Sequence, residues 1–238
     1  MPQTNLNRLF ISIVVLSILA VSLFILSIFV VILPHFEKTI LNGKKEMISE
    51  LTHSVCSLIE EYQQEADAKQ ISLDSAKIMA LERVQEMRYG DELKDYFWII
   101  DMHPNMIMHP YRPELVGTDL NNYKDPNGKL LFVESVNTVS ELGEGFIDYM
   151  WQWKDDSTRI VPKLSYVKAF EPWNWIVGTG IYLEDVRMEI SQLRARLLRI
   201  ALWMSLILGT ILAFIIRQSL SIEKKRRRAE KELRLSRE

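Results

Sequence analysis

The chain has a single cysteine in 238 residues, Cys56. It can form no intrachain disulfide, and no C-x-x-C pair or Cys/His cluster marks a zinc site. Cys56 falls at an apolar-rich position of a helical pattern, where a small core or interface residue is the ordinary reading. The usual catalytic signatures are missing too: no Ser/His/Asp series, no G-x-S-x-G, no P-loop. Gly178-Thr179-Gly180 is a bare G-x-G at the end of a β-hairpin, which backbone packing on a crowded sheet explains better than phosphate binding. The acidic residues are scattered, so neither a glycosidase pair nor a metal site is indicated. Asp125-Pro126-Asn127-Gly128 is turn chemistry with too few oxygen ligands for a calcium loop. The reading calls for no cofactor, no metal and no catalytic residue. Repeats and low-complexity segments are also absent.

Charge is missing from two long stretches. Leu9 to Leu33 is an apolar run of about 25 residues, and Ile200 to Ile216 a second one flanked by Arg199 and Arg217. About 20 apolar residues in a helix cross a bilayer; the second run reaches that length with Leu197-Leu198 and snorkelling arginines. No A-x-A site follows the first run, and its apolar stretch exceeds a signal-peptide core, so it reads as an anchor. The expected division is a cytoplasmic N-terminus at 1–8, transmembrane helices at 9–33 and 196–216, an outer domain at 34–195 and a cytoplasmic helix at 217–238.

The formal net charge of -2 conceals an asymmetry. His35 to Leu193 carries 16 Lys/Arg against 27 Asp/Glu, whereas Arg217 to Glu238 carries 9 against 4. Cytoplasmic flanks attract Lys and Arg, so Lys224-Lys225-Arg226-Arg227-Arg228 places the C-terminus inside, and Arg8 adds a weak vote for the N-terminus. The central domain then lies outside an inner or plasma membrane crossed twice. Beside a span, the basic run suits anionic membrane lipids rather than nucleic acid.

Between the runs the pattern is that of one folded domain. Ile48, Leu51, Val55, Leu58 and Tyr62 recur at helical spacing. A second helix is capped by Ser72 or Asp74, carries the stripe Ala76, Ala80, Val84 and Met87, and stops by Gly90. Strands follow at Tyr96–Ile100 and Met106–His109, then a loop, a helix over Lys129–Leu142, and strands at Phe146–Trp153, Lys163–Phe170 and Trp173–Tyr182 with a turn near Asp155-Asp156-Ser157. From Leu183 a helix leads into the second run. This order predicts an α+β fold: an antiparallel sheet of about five strands with a long N-terminal helix, set between two transmembrane helices.

Aromatic and basic side chains gather on the strands. Because strand side chains alternate, Tyr96 and Trp98 share a face, as do Tyr149 and Trp151; Tyr166 and Lys168 share one face of their strand, Lys163 and Ser165 the other. His109 ends a strand. Most strand aromatics are plain core and most strand lysines are solvated. Together, though, rings that exclude water and a few donors suit a small carboxylate. The domain is acidic, so a local cation group has to do the binding, not the overall field.

Several short runs, in order, resemble the single Cache family of extracellular sensor domains: Tyr96-Phe97-Trp98-Ile99, Met108-His109-Pro110, Gly117-Thr118-Asp119-Leu120, Asp125-Pro126-Asn127-Gly128-Lys129, Gly145 to Trp151, Lys163 to Lys168 and Pro172 to Tyr182, with Arg88-Tyr89-Gly90 ahead of them. The resemblance covers about Glu46 to Val186, and only the tip, Gln152 to Val161, departs from the family. It implies a PAS-like sheet under a long helix in a bacterial transmembrane receptor. The implied ligands are organic acids of two or three carbons, such as acetate, propionate, lactate or pyruvate. Carried over, Tyr96, Trp98, His109, Tyr149, Lys163, Tyr166 and Lys168 fall on pocket-lining stretches.

Beyond Arg217, Ile222, Arg226, Ala229 and Leu233 step as a d-a-d-a seam with one Arg inside it. That fits a coiled coil in a homodimer, and a solvated helix fits nearly as well. The tail stops in mid-pattern at Glu238, the expectation for the front part of a longer protein. Chemoreceptors of the family carry a HAMP module here with a proline near its start, and Arg217 to Glu238 has no proline. A histidine kinase output is therefore expected. A chemoreceptor, a cyclic-di-GMP enzyme, or a domain that binds a periplasmic partner protein are the other readings.

Overall fold

The computed structural model describes residues 3–235, without the side chains of residues 3–11, 230, 233 and 234. Glu238 and the side chains of Arg8, Leu9 and Leu233, on which some of the expectations rest, lie outside what is described. The described residues form two compact units, 38–189 and the remainder on either side of it.

The second of these is helical. Helix α1 (Gln3–Ser27) passes through a π-helical turn at Ile28–Ile32 into α2 (Leu33–Asp67), and α5 (Leu183–Leu235) closes the chain. Ser12–Asp67 and Leu183–Ala229 are each long and apolar enough to cross a membrane. Phe24, Ile25 and Ile28 face Leu197, Ala201 and Met204 across an apolar groove, and Arg194 pairs with Glu37 at 2.7 Å.

Residues 38–189 form the α+β domain expected. Its sheet has six strands, β1 (Arg88–Tyr89), β2 (Asp95–Asp101), β3 (Met106–Met108), β4 (Glu144–Trp153), β5 (Asp156–Phe170) and β6 (Trp175–Tyr182). The order is β1-β2-β6-β5-β4, with β3 on β2 and every pair antiparallel. The strand beyond the expected five is β1, whose two residues pair with Tyr96 and Asp95. It ends the preceding helix, α3 (Leu73–Glu86), before Gly90. The fourth expected strand starts seven residues earlier, at Asp156 rather than Lys163. Pro162 pairs only with Met150 of β4, and β6 joins from Lys163 onward, so its missing N–H breaks no bond to β6.

Each face of the sheet buries one helical layer. On one side α2 places Val55 and Ile59 and α3 places Ala76, Ala80 and Val84 against Phe97, Ile99 and Val177. Ser72 caps α3 by accepting from Ser75 N–H at 3.1 Å. Cys56 is buried in this layer, and burial pushes its thiol up to about 11. On the other side α4 (Leu131–Leu142) packs over Tyr96, Trp98, Tyr149, Trp151 and Val167. Gly143, at φ 77, stops α4 in the left-handed region that glycine adopts freely.

Candidate functional site

Alternation along the strands decides which side chains can meet. Tyr96 and Trp98 of β2, Tyr149 and Trp151 of β4, and Lys163 and Ser165 of β5 all point to the α4 face. A β6 backbone without a side chain makes room for the largest of them: a Cβ at Gly178 would lie 2.3 Å from the Trp98 ring. The G-x-G therefore acts in packing. His109, just after β3, closes one end, its ring 4.8 Å from Tyr96 and 5.7 Å from Trp151, centroid to centroid.

Trp98, His109, Leu131, Phe132, Tyr149 and Trp151 line a narrow gap between the rings. In this conformation the rings sit too close for a water-sized sphere, so a guest enters only as they part. The lining is apolar apart from a few donors. Tyr149 Oη and Ser165 Oγ are 2.8 Å apart and satisfy each other. Tyr96 Oη and Trp98 Nε1 are fully buried and make no hydrogen bond within 3.5 Å among the described residues, although the Tyr182 and Trp151 side chains lie near the first and that of Tyr149 near the second. Each such group costs about 1–3 kcal/mol, and two on one face are a reason to look for what they bind.

Lys163 is the third donor. Its residue is 1% exposed, and its ammonium lies 4.1 Å from the Tyr96 ring centroid and 5.0 Å from that of Tyr182. Among the described residues no carboxylate comes within 4 Å of it. Burial pulls its pKa down to about 7, with the more distant Asp95 carboxylate opposing. Burial also holds His109 well below its ordinary value, and the charges of Lys163, Arg112 and Arg88 push the same way. His109 is thus neutral, and its Nδ1 accepts from the Tyr111 N–H at 3.2 Å, which leaves Nε2 as the protonated nitrogen. Donors and a cation on one apolar face make an acceptor's site, suited to a small anion once the rings part.

Five of the seven residues expected from sequence, Tyr96, Trp98, His109, Tyr149 and Lys163, stand on this face. Tyr166 and Lys168 do not join them, because their place in the alternation of β5 turns them to the α2 side. Lys168 is ion-paired with Glu144, which His53 of α2 also approaches at 3.3 Å. The Tyr166 ring packs on His53 and Phe146. Sequence reasoning left out Trp151, Tyr182, Leu131 and Phe132. Trp151 was signalled by its place two residues after Tyr149. The α4 residues have no such signal, because which helix covers which face is a tertiary fact.

A model of the family described as single Cache domain 2 matches residues 40–195. Methyl-accepting chemotaxis protein McpP of Pseudomonas putida is 36% identical over 182 residues, 75% of this chain and 33% of its own length. Sensor histidine kinase MctS of Rhizobium johnstonii is 32% identical over 151 residues, 63% of this chain and 31% of its own. The chain therefore spans about a third of the length of these curated relatives. Two solved structures share the fold at a TM-score of 0.57. One, a periplasmic sensor domain of a chemotaxis protein, is 42% identical over 60% of this chain and 96% of that one. The other, described as the structural basis for carboxylic acid recognition by a Cache chemosensory domain, is 36% identical over 61% of this chain and 97% of that one.

Proposed function

The chain belongs to the single Cache domain 2 family of receptor sensor domains, and from that premise we propose that residues 38–189 take up a two- or three-carbon carboxylate on the α4 face of the sheet. The observation that carries this reading is Lys163, a buried ammonium with no carboxylate within 4 Å among the described residues, beside two buried donors that make no hydrogen bond within 3.5 Å there. A carboxylate supplies what all three are missing: Lys163 Nζ gains a counter-ion, and Tyr96 Oη and Trp98 Nε1 gain an acceptor, with His109 Nε2 as a further donor. Leu131, Phe132 and Trp151 take the short alkyl part. The neighbour described for carboxylic acid recognition supports the ligand class. Tyr96, Trp98, His109, Tyr149 and Lys163 are the proposed contacts; Tyr166 and Lys168, on the far face, are not.

The receptor is proposed to cross an inner membrane twice, at 9–33 and 196–216, with the sensor domain in the periplasm and the basic tail against cytoplasmic lipid head groups. Support comes from two helices of sufficient length and apolarity, the Lys/Arg run at 224–228 and a periplasmic relative. A protease added to spheroplasts should cut within 38–189 and spare 217–235; the reverse pattern would invert the topology. Occupancy is proposed to act through α5 on a cytoplasmic output in a homodimer. A histidine kinase relative and a chemotaxis relative both match, so a kinase and a chemoreceptor output each have a specific observation behind them.

The test of the ligand is a thermal melt of the full chain in detergent micelles with acetate, propionate, lactate and pyruvate at millimolar concentration. At least one should raise the melting temperature in a saturable way. No shift with any of the four removes the carboxylate reading.

A further inference from the structure

The β4–β5 hairpin does two things at once. Its middle carries Tyr149 and Trp151 into the wall of the gap and Lys163 against the Tyr96 and Tyr182 rings, and its tip, Lys154-Asp155, reaches the start of α5. The Lys154 backbone is left-handed, at φ 52, where glycine or asparagine is usual. Its side chain is nevertheless nearly buried, with Nζ 3.4 Å from Glu92 Oε2 and 3.5 Å from Asp185 Oδ2, over the Trp153 ring at 4.6 Å. Trp153 Nε1 donates to the other Asp185 oxygen at 3.2 Å, and Arg159 of β5 pairs with Glu184 at 2.7 Å. Asp185 and Glu184 are in the first turn of α5. The Lys154 N–H also donates to Tyr182 Oη at 2.8 Å, and the Tyr182 ring is one of the two against which the Lys163 ammonium lies.

We propose that Lys154 is a positioning residue that couples the cavity to the exit helix, its side chain clamping the first turn of α5 and its backbone holding the tyrosine that borders the cavity cation. The clamp rests on the ligand reading above. An acid that draws Lys163 Nζ away from the rings relieves Tyr182, and the tip, tied to Tyr182 by one hydrogen bond, shifts against Asp185. A strained backbone held by several independent contacts is where two arrangements of similar energy are expected.

Hydrogen exchange on the full chain in micelles tests this, with and without a mixture of acetate, propionate, lactate and pyruvate. The readout is the amides of Arg187 to Glu189, the first in α5 with intrahelical partners. In the wild type the acids should change exchange there on the order of threefold. In Lys154→Met and in the gentler Asp185→Asn, that ligand-dependent change should vanish while the acids still raise the melting temperature. Lys154→Arg should restore it. A purely structural tip would alter exchange equally with and without acid. A ligand-dependent change that persists in both variants overturns the clamp, as does a wild type that binds acid with no change at 187–189. Absence of any melting shift in the wild type removes the ligand reading, and the clamp falls with it.

Discussion

The two faces of the sheet are equally rich in aromatics, yet they treat their polar groups differently. On the α2 side every named polar side chain has a partner. Trp173 Nε1 donates to Gln63 Oε1, Tyr89 Oη meets Thr179 Oγ1 at 2.7 Å, and Lys168 pairs with Glu144. On the α4 side, among the described residues, a tyrosine hydroxyl and an indole N–H are enclosed without an acceptor within 3.5 Å, and a buried ammonium has no carboxylate within 4 Å. The lesson is that ring content does not tell a binding face from a core face, whereas hydrogen-bond satisfaction does. One side is finished as a core; the other is finished only when something anionic completes it.

The largest expected break in this contrast is between the two lysines of β5. Lys163→Met should weaken acid binding by about 2–5 kcal/mol, the usual cost of truncating one partner of a buried charge pair. Lys168→Met, on the satisfied face, should leave affinity within about twofold. Calorimetric titration of both variants checks the pair, and equal losses would erase the distinction between the faces.

The next effect is on pH. Binding needs Lys163 charged, and its pKa in the empty domain is about 7. Affinity should be flat below that value and fall by up to about tenfold per pH unit above it. Stability of the empty domain runs the other way. The folded pKa lies below that of the unfolded chain, so the unfolded state holds more protons from about pH 7 up to the ordinary lysine range, and this group's contribution to stability rises with pH there. Melts and titrations across pH 6–9 should show both trends, and both should disappear in Lys163→Met.

The smallest effect sharpens the comparison most. Tyr96→Phe removes a buried hydroxyl that lacks a partner, so the empty domain should gain on the order of 1 kcal/mol while acid binding weakens. Tyr89→Phe, on the other face, breaks a made hydrogen bond and should lose about 1 kcal/mol with binding unchanged. Urea melts and titrations of the two variants should give opposite signs for stability.

Much of this was legible before any coordinates. Period and caps placed α2, α3 and the strands, because those signals are local. Strand alternation divides Lys163 from Lys168, although the family resemblance implies both as site residues. What sequence could not supply was the order of strands in space, and so which face α4 covers. That is why Phe132 and Leu131 escaped notice. β1 was missed because two residues carry no period, and the early start of β5 because Pro162 is tolerated only through the particular neighbour it lacks. The clamp at Lys154 had no signal beyond a turn: nothing local shows that a hairpin tip will reach a helix beginning some thirty residues later.

Cys56 has a practical side. With its sulfur enclosed between α2 and the sheet and its pKa raised to about 11, only about one molecule in ten thousand carries a thiolate at neutral pH. Maleimide and spin-label reagents should therefore pass it by. A cysteine placed at exposed Leu93 or Met188 would be the single reactive handle on an otherwise native chain, ready to report distances on either side of the α5 turn without a cysteine-free background.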